Sequence, residues 1–206
     1  MDTKQKILSS AAELFMRYGI KSVSMDDIAR ELGISKKTLY QVVDNKAELI
    51  DEVIAQYLEG EECSIETIRK SATDSIEEML LISAHVTQVM RQLRPATIYD
   101  LQKYHKSAWM RIEGHHQEHV YKVVSDNILA GIQQGLYREE VDADIIARLY
   151  VSKSFVLVDE KIFPLKDFHR DKLLLEFIYY HIHGIASAKG LEVLQKYKNQ
   201  NTAITG

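Results

Sequence analysis

The chain has 206 residues, 26 basic and 30 acidic side chains, a formal net charge of −4 and an apolar content of 46%. That length allows one domain or two modest ones with an ample core, while nine Gly and two Pro are too few for the turns of an all-β fold. No apolar run reaches the ~18–20 residues of a membrane span, the N-terminal MDTKQKILSS lacks the apolar stretch of a signal peptide, and a single cysteine, Cys63, excludes an internal disulfide.

These features predict a protein of the reducing cytoplasm. The acidic balance, taken over the whole chain, argues against nucleic-acid binding. No repeat or low-complexity tract is present.

The elements follow as a series of helical periods. Residues 4–18 place Ile7, Leu8, Ala11, Ala12, Leu14, Phe15 and Tyr18 on one stripe, and Gly19 offers a C-cap. Ser24 followed by Asp27 resembles a capping box, and Met25, Ile28, Ala29 and Leu32 then predict two turns that stop at Gly33. Ser35 caps a third helix, with Ile34 and Leu39 placed as a hydrophobic staple. Asn45 with Glu48 starts a fourth helix over about 46–60, carrying Leu49, Ile50, Val53, Ile54, Tyr57 and Leu58.

Longer helices are predicted beyond it: about 65–93, ending before Pro95; a short one over 96–104; and a long one over 107–134, ending at Gly135. Asp142 caps a helix to about Lys161, Pro164 interrupts, and the last major helix covers about 171–188 before a polar tail beyond Lys196. The segment 155–158 has strand composition, but its flanks keep helical spacing. The prediction is all-α, with about nine helices.

A short helix, a turn at Gly33 and a second short helix from Lys36 have helix-turn-helix proportions. In that motif the start of the second helix lies over base edges in the major groove. Lys36, Lys37 and Thr38 occupy that start, Tyr40 supplies a phenolic donor, and Gln41 has the geometry to read adenine. Lys46 stands at the start of the fourth helix, where its amide, its ammonium and the helix dipole all favour a phosphate; Ser24 occupies the equivalent place one helix earlier. Residues 1–60 hold eight Lys/Arg and ten Asp/Glu, but from Ser35 to Lys46 three lysines face one acid, Asp44. A locally basic tip on a weakly charged domain predicts few phosphate contacts per subunit and reliance on a dimer.

The ordered landmarks Thr3, Ile7-Leu8, Ala11-Ala12, Leu14-Phe15, Gly19, Ser24-Met25, Ile28-Ala29, Gly33-Ile34-Ser35, Leu39-Tyr40, Lys46 and Leu49 make residues 1–61 resemble the DNA-binding domain of the TetR family of bacterial transcriptional regulators. The resemblance implies an all-α homodimer: a DNA-binding domain over 1–61, with its helix-turn-helix at about 24–43, and an effector-binding and dimerisation domain over 62–206. It implies a regulator, in the commonest form a repressor released from operator DNA by a small molecule, with no catalytic residues, metal or cofactor. Ser24, Lys36, Lys37, Thr38, Tyr40, Gln41 and Lys46 fall at its DNA-contacting positions. Gln41 and Val43 stand where the family usually has aromatics, and Lys37 where it often has a small residue, so the reading face is altered.

In the second half, a helical wheel of 107–134 puts Trp109, Ile112, Val120, Val123 and Asn127 within about 40° of His116. Polar groups on an apolar arc suggest an effector pocket lined by Trp109, Ile112, His116, Val120, Val123 and Asn127, with Tyr99 and Tyr104 at its mouth. The alternative is that neighbouring helices satisfy His116 and Asn127. His115, His116 and His119 also raise a metal-dependent helical enzyme, although no acid–base or nucleophile constellation accompanies them. A third possibility is a helix-turn-helix protein that binds partners other than DNA. Helices 142–161 and 171–188 are apolar on nearly all sides, which calls for burial against a second copy of the chain.

Overall fold

The computed structural model describes residues 3–204, with side-chain environments for residues 3–200. Every regular element among them is helical, and Tyr137 and Ala186 form one antiparallel bridge. No helix among the described residues is long and apolar enough to cross a membrane. The chain divides into two compact units, 1–63 with 91–115, and 64–90 with 116–206. Residues 91–115, which lie beyond the expected boundary at 61/62, group with the first unit.

The first unit contains α1 (Thr3–Tyr18), α2 (Met25–Glu31), α3 (Lys36–Tyr40), the first part of α4 (Lys46–Ser71), α6 (Pro95–Tyr104) and α7 (Lys106–His115). Its core is the predicted stripe: Ile7, Leu8, Ala11, Phe15, Ile28, Leu39, Val43, Leu49 and Val53 are buried together with Leu101 and Ala108. Val43 fills a core slot at 2% exposure. Gly33 adopts a positive φ of 64°, the left-handed conformation that an L side chain resists, and so lets the chain turn sharply between α2 and α3.

The fourth helix does not stop near residue 60. It continues to Ser71. There the Asp74 carboxylate accepts the amides of Ile76 and Glu77, both at 2.9 Å, and Glu77 accepts the Thr73 amide at 2.6 Å. That reciprocal cap starts α5 (Ser75–Gln92), so the single helix expected over 65–93 is the end of one helix and the whole of another.

The second unit comprises 64–71 of α4, most of α5, a π-helical turn at His116–Val120, α8 (Tyr121–Gln133), α9 (Ala143–Val156), α10 (Arg170–Ile185) and α11 (Ala188–Ile204). The predicted 107–134 helix is thus interrupted by that wider turn. Asp142 caps α9 through the Ile145 amide at 3.0 Å, as expected, but the helix ends at Val156 rather than Lys161. Residues 155–156 are helical, so strand composition there yields to its helical flanks. Beyond the last major helix expected, the chain forms a further one, α11: Ser187 accepts the Gly190 amide at 3.1 Å, Leu194 is 1% exposed, and the Tyr197 hydroxyl donates to Asp74 at 2.8 Å.

His181 on α10 is buried, with no hydrogen-bond partner for Nε2. Burial, and secondarily the Lys153 charge, pushes its pKa from 6.5 down to about 4. The folded state holds His181 neutral while the unfolded chain takes up a proton, so stability is lost as pH falls below about 6.5. Chemical denaturation at pH 7.5 and pH 5 should show a loss of about 2 kcal/mol that His181→Leu abolishes. Equal pH dependence in the two proteins would contradict this.

Candidate DNA-binding surface

Two caps shape the helix-turn-helix. The Ser24 hydroxyl accepts the Asp27 amide at 3.2 Å while the Asp27 carboxylate accepts the Ser24 amide at 2.9 Å. Those hydrogen bonds, first to the Ser24 hydroxyl and then to its amide, hold the Asp27 carboxyl below its ordinary pKa. The Ser35 hydroxyl accepts the Thr38 amide at 3.0 Å and lies 2.8 Å from the Thr38 hydroxyl. Both serines are therefore engaged in starting their helices, and Ser24 remains exposed.

Helix α3 has five residues and buries Leu39 completely, which turns Lys36, Lys37 and Tyr40 outward. Tyr40 is 41% exposed. Gln41 is exposed as the C-cap of α3 rather than as a residue within the helix. Lys36 pairs with Asp26 at 2.7 Å, and that hydrogen bond keeps its ammonium charged by raising its pKa. The carboxylate also offsets its charge, so Lys37 is the more available cation at the tip of α3.

Lys46 departs from expectation. Its ammonium turns inward and donates to the Ile20 carbonyl at 2.6 Å, 5.9 Å from the Phe15 ring centroid. Desolvation lowers its pKa, against the opposing pull of Asp100 and Asp27. What Lys46 offers outward is its position in the first turn of α4, where the Asn45 carboxamide already takes the Glu48 amide at 3.0 Å. The amides at the start of that turn are the groups a helix N-terminus can offer to an anion.

Asp100 on α6 was not anticipated, since its partner lies far away in sequence. Its carboxylate accepts the Lys21 amide at 3.0 Å, and the Thr97 hydroxyl donates to the Phe15 carbonyl at 3.4 Å. Both side chains are buried, so α6 is fastened onto the turn between α1 and α2. No local pattern announces a pairing across 79 residues.

The expected pocket residues are divided between the two units. Tyr99, Tyr104, Trp109 and Ile112 belong to the first unit, and His116, Val120, Val123 and Asn127 to the second. Trp109 and Ile112 pack against the helix-turn-helix core, and the Trp109 indole donates to Glu113 at 2.8 Å. Tyr99 and Tyr104, each 52% exposed, meet edge to face at 6.3 Å. Asn127 is a core group: its amide donates to the Ser75 carbonyl at 2.9 Å, and its carbonyl accepts the Tyr137 hydroxyl at 3.1 Å. His116 lies 4.6 Å from the Phe155 ring with Nδ1 3.4 Å from the Ser154 hydroxyl. His115, in the other unit, lies 3.3 Å from the Glu62 carboxylate.

Residues 7–53 match the family model described as bacterial regulatory proteins, tetR family. An uncharacterized HTH-type transcriptional regulator of Bacillus subtilis, YvaF, is 24% identical over 163 residues, covering 79% of this chain and 84% of its own length. The HTH-type transcriptional repressor KstR2 of Mycolicibacterium smegmatis is 24% identical, with 75% and 77% covered. A transcriptional regulator from Cytophaga hutchinsonii has a similar structure, with a TM-score of 0.72 at 18% identity over 89% of this chain and 98% of that one.

Proposed function

The chain belongs to the TetR family of bacterial transcriptional regulators, and from that premise we propose that it is a cytoplasmic homodimeric repressor released from its operator by a small molecule. It is a DNA-binding regulator, and its similar proteins are named as regulators rather than enzymes. The observation that carries the reading is the capped α2–turn–α3 unit, whose buried Leu39 aims Lys37, Thr38 and Tyr40 away from the core.

Lys36, Lys37, Thr38 and Gln41 are assigned to base edges and adjacent phosphates, Tyr40 to a phosphate, and the starts of α2 at Ser24 and α4 at Lys46 to the backbone through their amides. Two copies of α3 enter successive major grooves about 34–36 Å apart. A ligand held by the second unit acts by binding one dimer geometry more tightly than the other, with a coupling of about 1–3 kcal/mol. α4 is its route, since that one helix runs from Lys46 to Ser71 and belongs to both units.

Footprinting on the DNA around the chain's own gene tests the function, and a protected site with two-fold symmetry is expected. The absence of any protected segment would refute it. Two variants separate the roles of the lysines. Lys37→Ala should change sequence preference, read as altered ratios among operator variants. Lys46→Met should leave the salt dependence of DNA binding unchanged and cost about 1–2 kcal/mol of stability, because its ammonium serves the Ile20 carbonyl. A salt slope lower by about one per subunit would return the Lys46 ammonium to the phosphate.

A further inference from the structure

Beside the helix-turn-helix, in the same unit, the end of α1 and the outer face of α6 present alternating cations and tyrosines. Lys103 lies 5.1 Å from the Tyr99 ring centroid and 5.3 Å from that of Tyr104, and its ammonium donates to the Tyr99 hydroxyl at 2.6 Å. Lys21 lies 5.7 Å from the Tyr104 ring, and Arg17 lies 5.1 Å from that of Tyr18. All six side chains are exposed. The nearby acid, Asp100, is buried and bonded to the Lys21 amide, so its charge is directed inward.

We propose that this patch, centred on Lys21, Lys103 and Tyr104, is a second phosphate-contacting surface that grips the duplex flanking the segment read by α3. The proposal rests on the DNA-binding reading above. Three observations carry it. The first is charge: Lys21 and Lys103 meet at the Tyr104 ring, beside phenolic donors, the groups that meet phosphates. The second is pre-organisation, since each ammonium or guanidinium is held over a ring and loses less freedom when a phosphate arrives. The third is continuity. Lys21 lies on the turn that ends at Ser24, where α2 begins, and Lys46 ties the first turn of α4 to Ile20 on that turn. The starts of α2 and α4 and the cationic patch therefore converge on residues 19–24.

Each ring already has a cation set against it, so fewer stacking faces are open than single strands use. Duplex backbone is the partner that fits.

The test compares the wild-type dimer with the double variant Lys21→Gln/Lys103→Gln on two duplexes built from the protected site. One ends at the base pairs spanned by the two α3 helices, and the other extends about one turn further at each end. On the long duplex, the variant should lose about 3–4 in the slope of log K against log salt, from four lysines per dimer at ~0.9 each. On the short duplex the slopes should agree, and Lys103→Arg should retain the wild-type slope on both. Melting curves of the variants should match, since both lysines are exposed. Equal slopes for wild type and variant on the long duplex would overturn the patch while leaving the regulator intact. Failure of the wild type to bind either duplex would overturn both. Tighter binding to the corresponding single strand, lost in the variant, would overturn the duplex assignment.

Discussion

Gly131→Ala should destabilise the second unit by about 3–5 kcal/mol, an effect far above the typical cost of adding one methyl group. Gly131 lies in α8, and a Cβ there would overlap the ring of Tyr137. Tyr137 comes so close because α8 ends in a Schellman motif. The Leu136 amide reaches the Gly131 carbonyl at 2.8 Å, the Gly135 amide reaches Ile132 at 2.9 Å, and Gly135 takes a positive φ of 70°. The chain is thereby folded back, and Tyr137, 1% exposed, lies against its own helix.

From that position its hydroxyl reaches the Ser75 carbonyl at 3.2 Å and Asn127 at 3.1 Å. Displacing the ring therefore loses packing and leaves buried polar groups without partners, two penalties that add. Tyr137→Phe isolates the polar part and should cost about 1–2 kcal/mol. Urea denaturation of both variants decides the matter: a Gly131→Ala cost no larger than that of Tyr137→Phe would mean that α8 bends at little cost to admit the methyl.

The same cluster shows where sequence reasoning reached and where it stopped. Gly135 was legible as a helix end because a glycine after an apolar period has one common use. Asn127 was legible as a polar group on an apolar arc, but periodicity cannot supply its partner, which arrives from Ser75 at the start of another helix. The helix-turn-helix was legible almost residue by residue because its signals are local: Ser24 with Asp27, Ser35 as a cap, Gly33 between them. Thr73, Asp74 and Glu77 carry an equally local cap that the apolar period across 65–93 concealed.

Long-range pairing accounts for the remaining misses. Lys46 has the residue type and position of a phosphate ligand, yet a carbonyl on the α1–α2 turn claims its ammonium. Asp100 looks like a surface acid on an amphipathic helix until the Lys21 amide is found beneath it. Such contacts leave no periodic trace, because the two residues answer to different helices.

Leu149→Glu should convert the proposed dimer into a monomer and weaken operator binding by at least 100-fold. On α9 and α10, Ile145, Leu149, Leu175 and Tyr180 are 44–67% exposed, an unusual concentration of large apolar side chains on two neighbouring elements. Between them a groove of about 240 Å³ is lined by Leu149, Tyr150, Phe177 and Tyr180. In a two-fold dimer Leu149 occurs on both sides, so one substitution buries two carboxylates against apolar surface. Each costs several kcal/mol to desolvate, enough together to raise the dimer dissociation constant by about 10⁴-fold or more. DNA affinity follows, since a monomer keeps half the phosphate contacts and one α3 helix. Sedimentation equilibrium with gel shifts on the same preparation reads both quantities. A dimeric Leu149→Glu protein would place the subunit interface on another face, whereas a monomer that holds operator at wild-type affinity would show that one helix-turn-helix suffices.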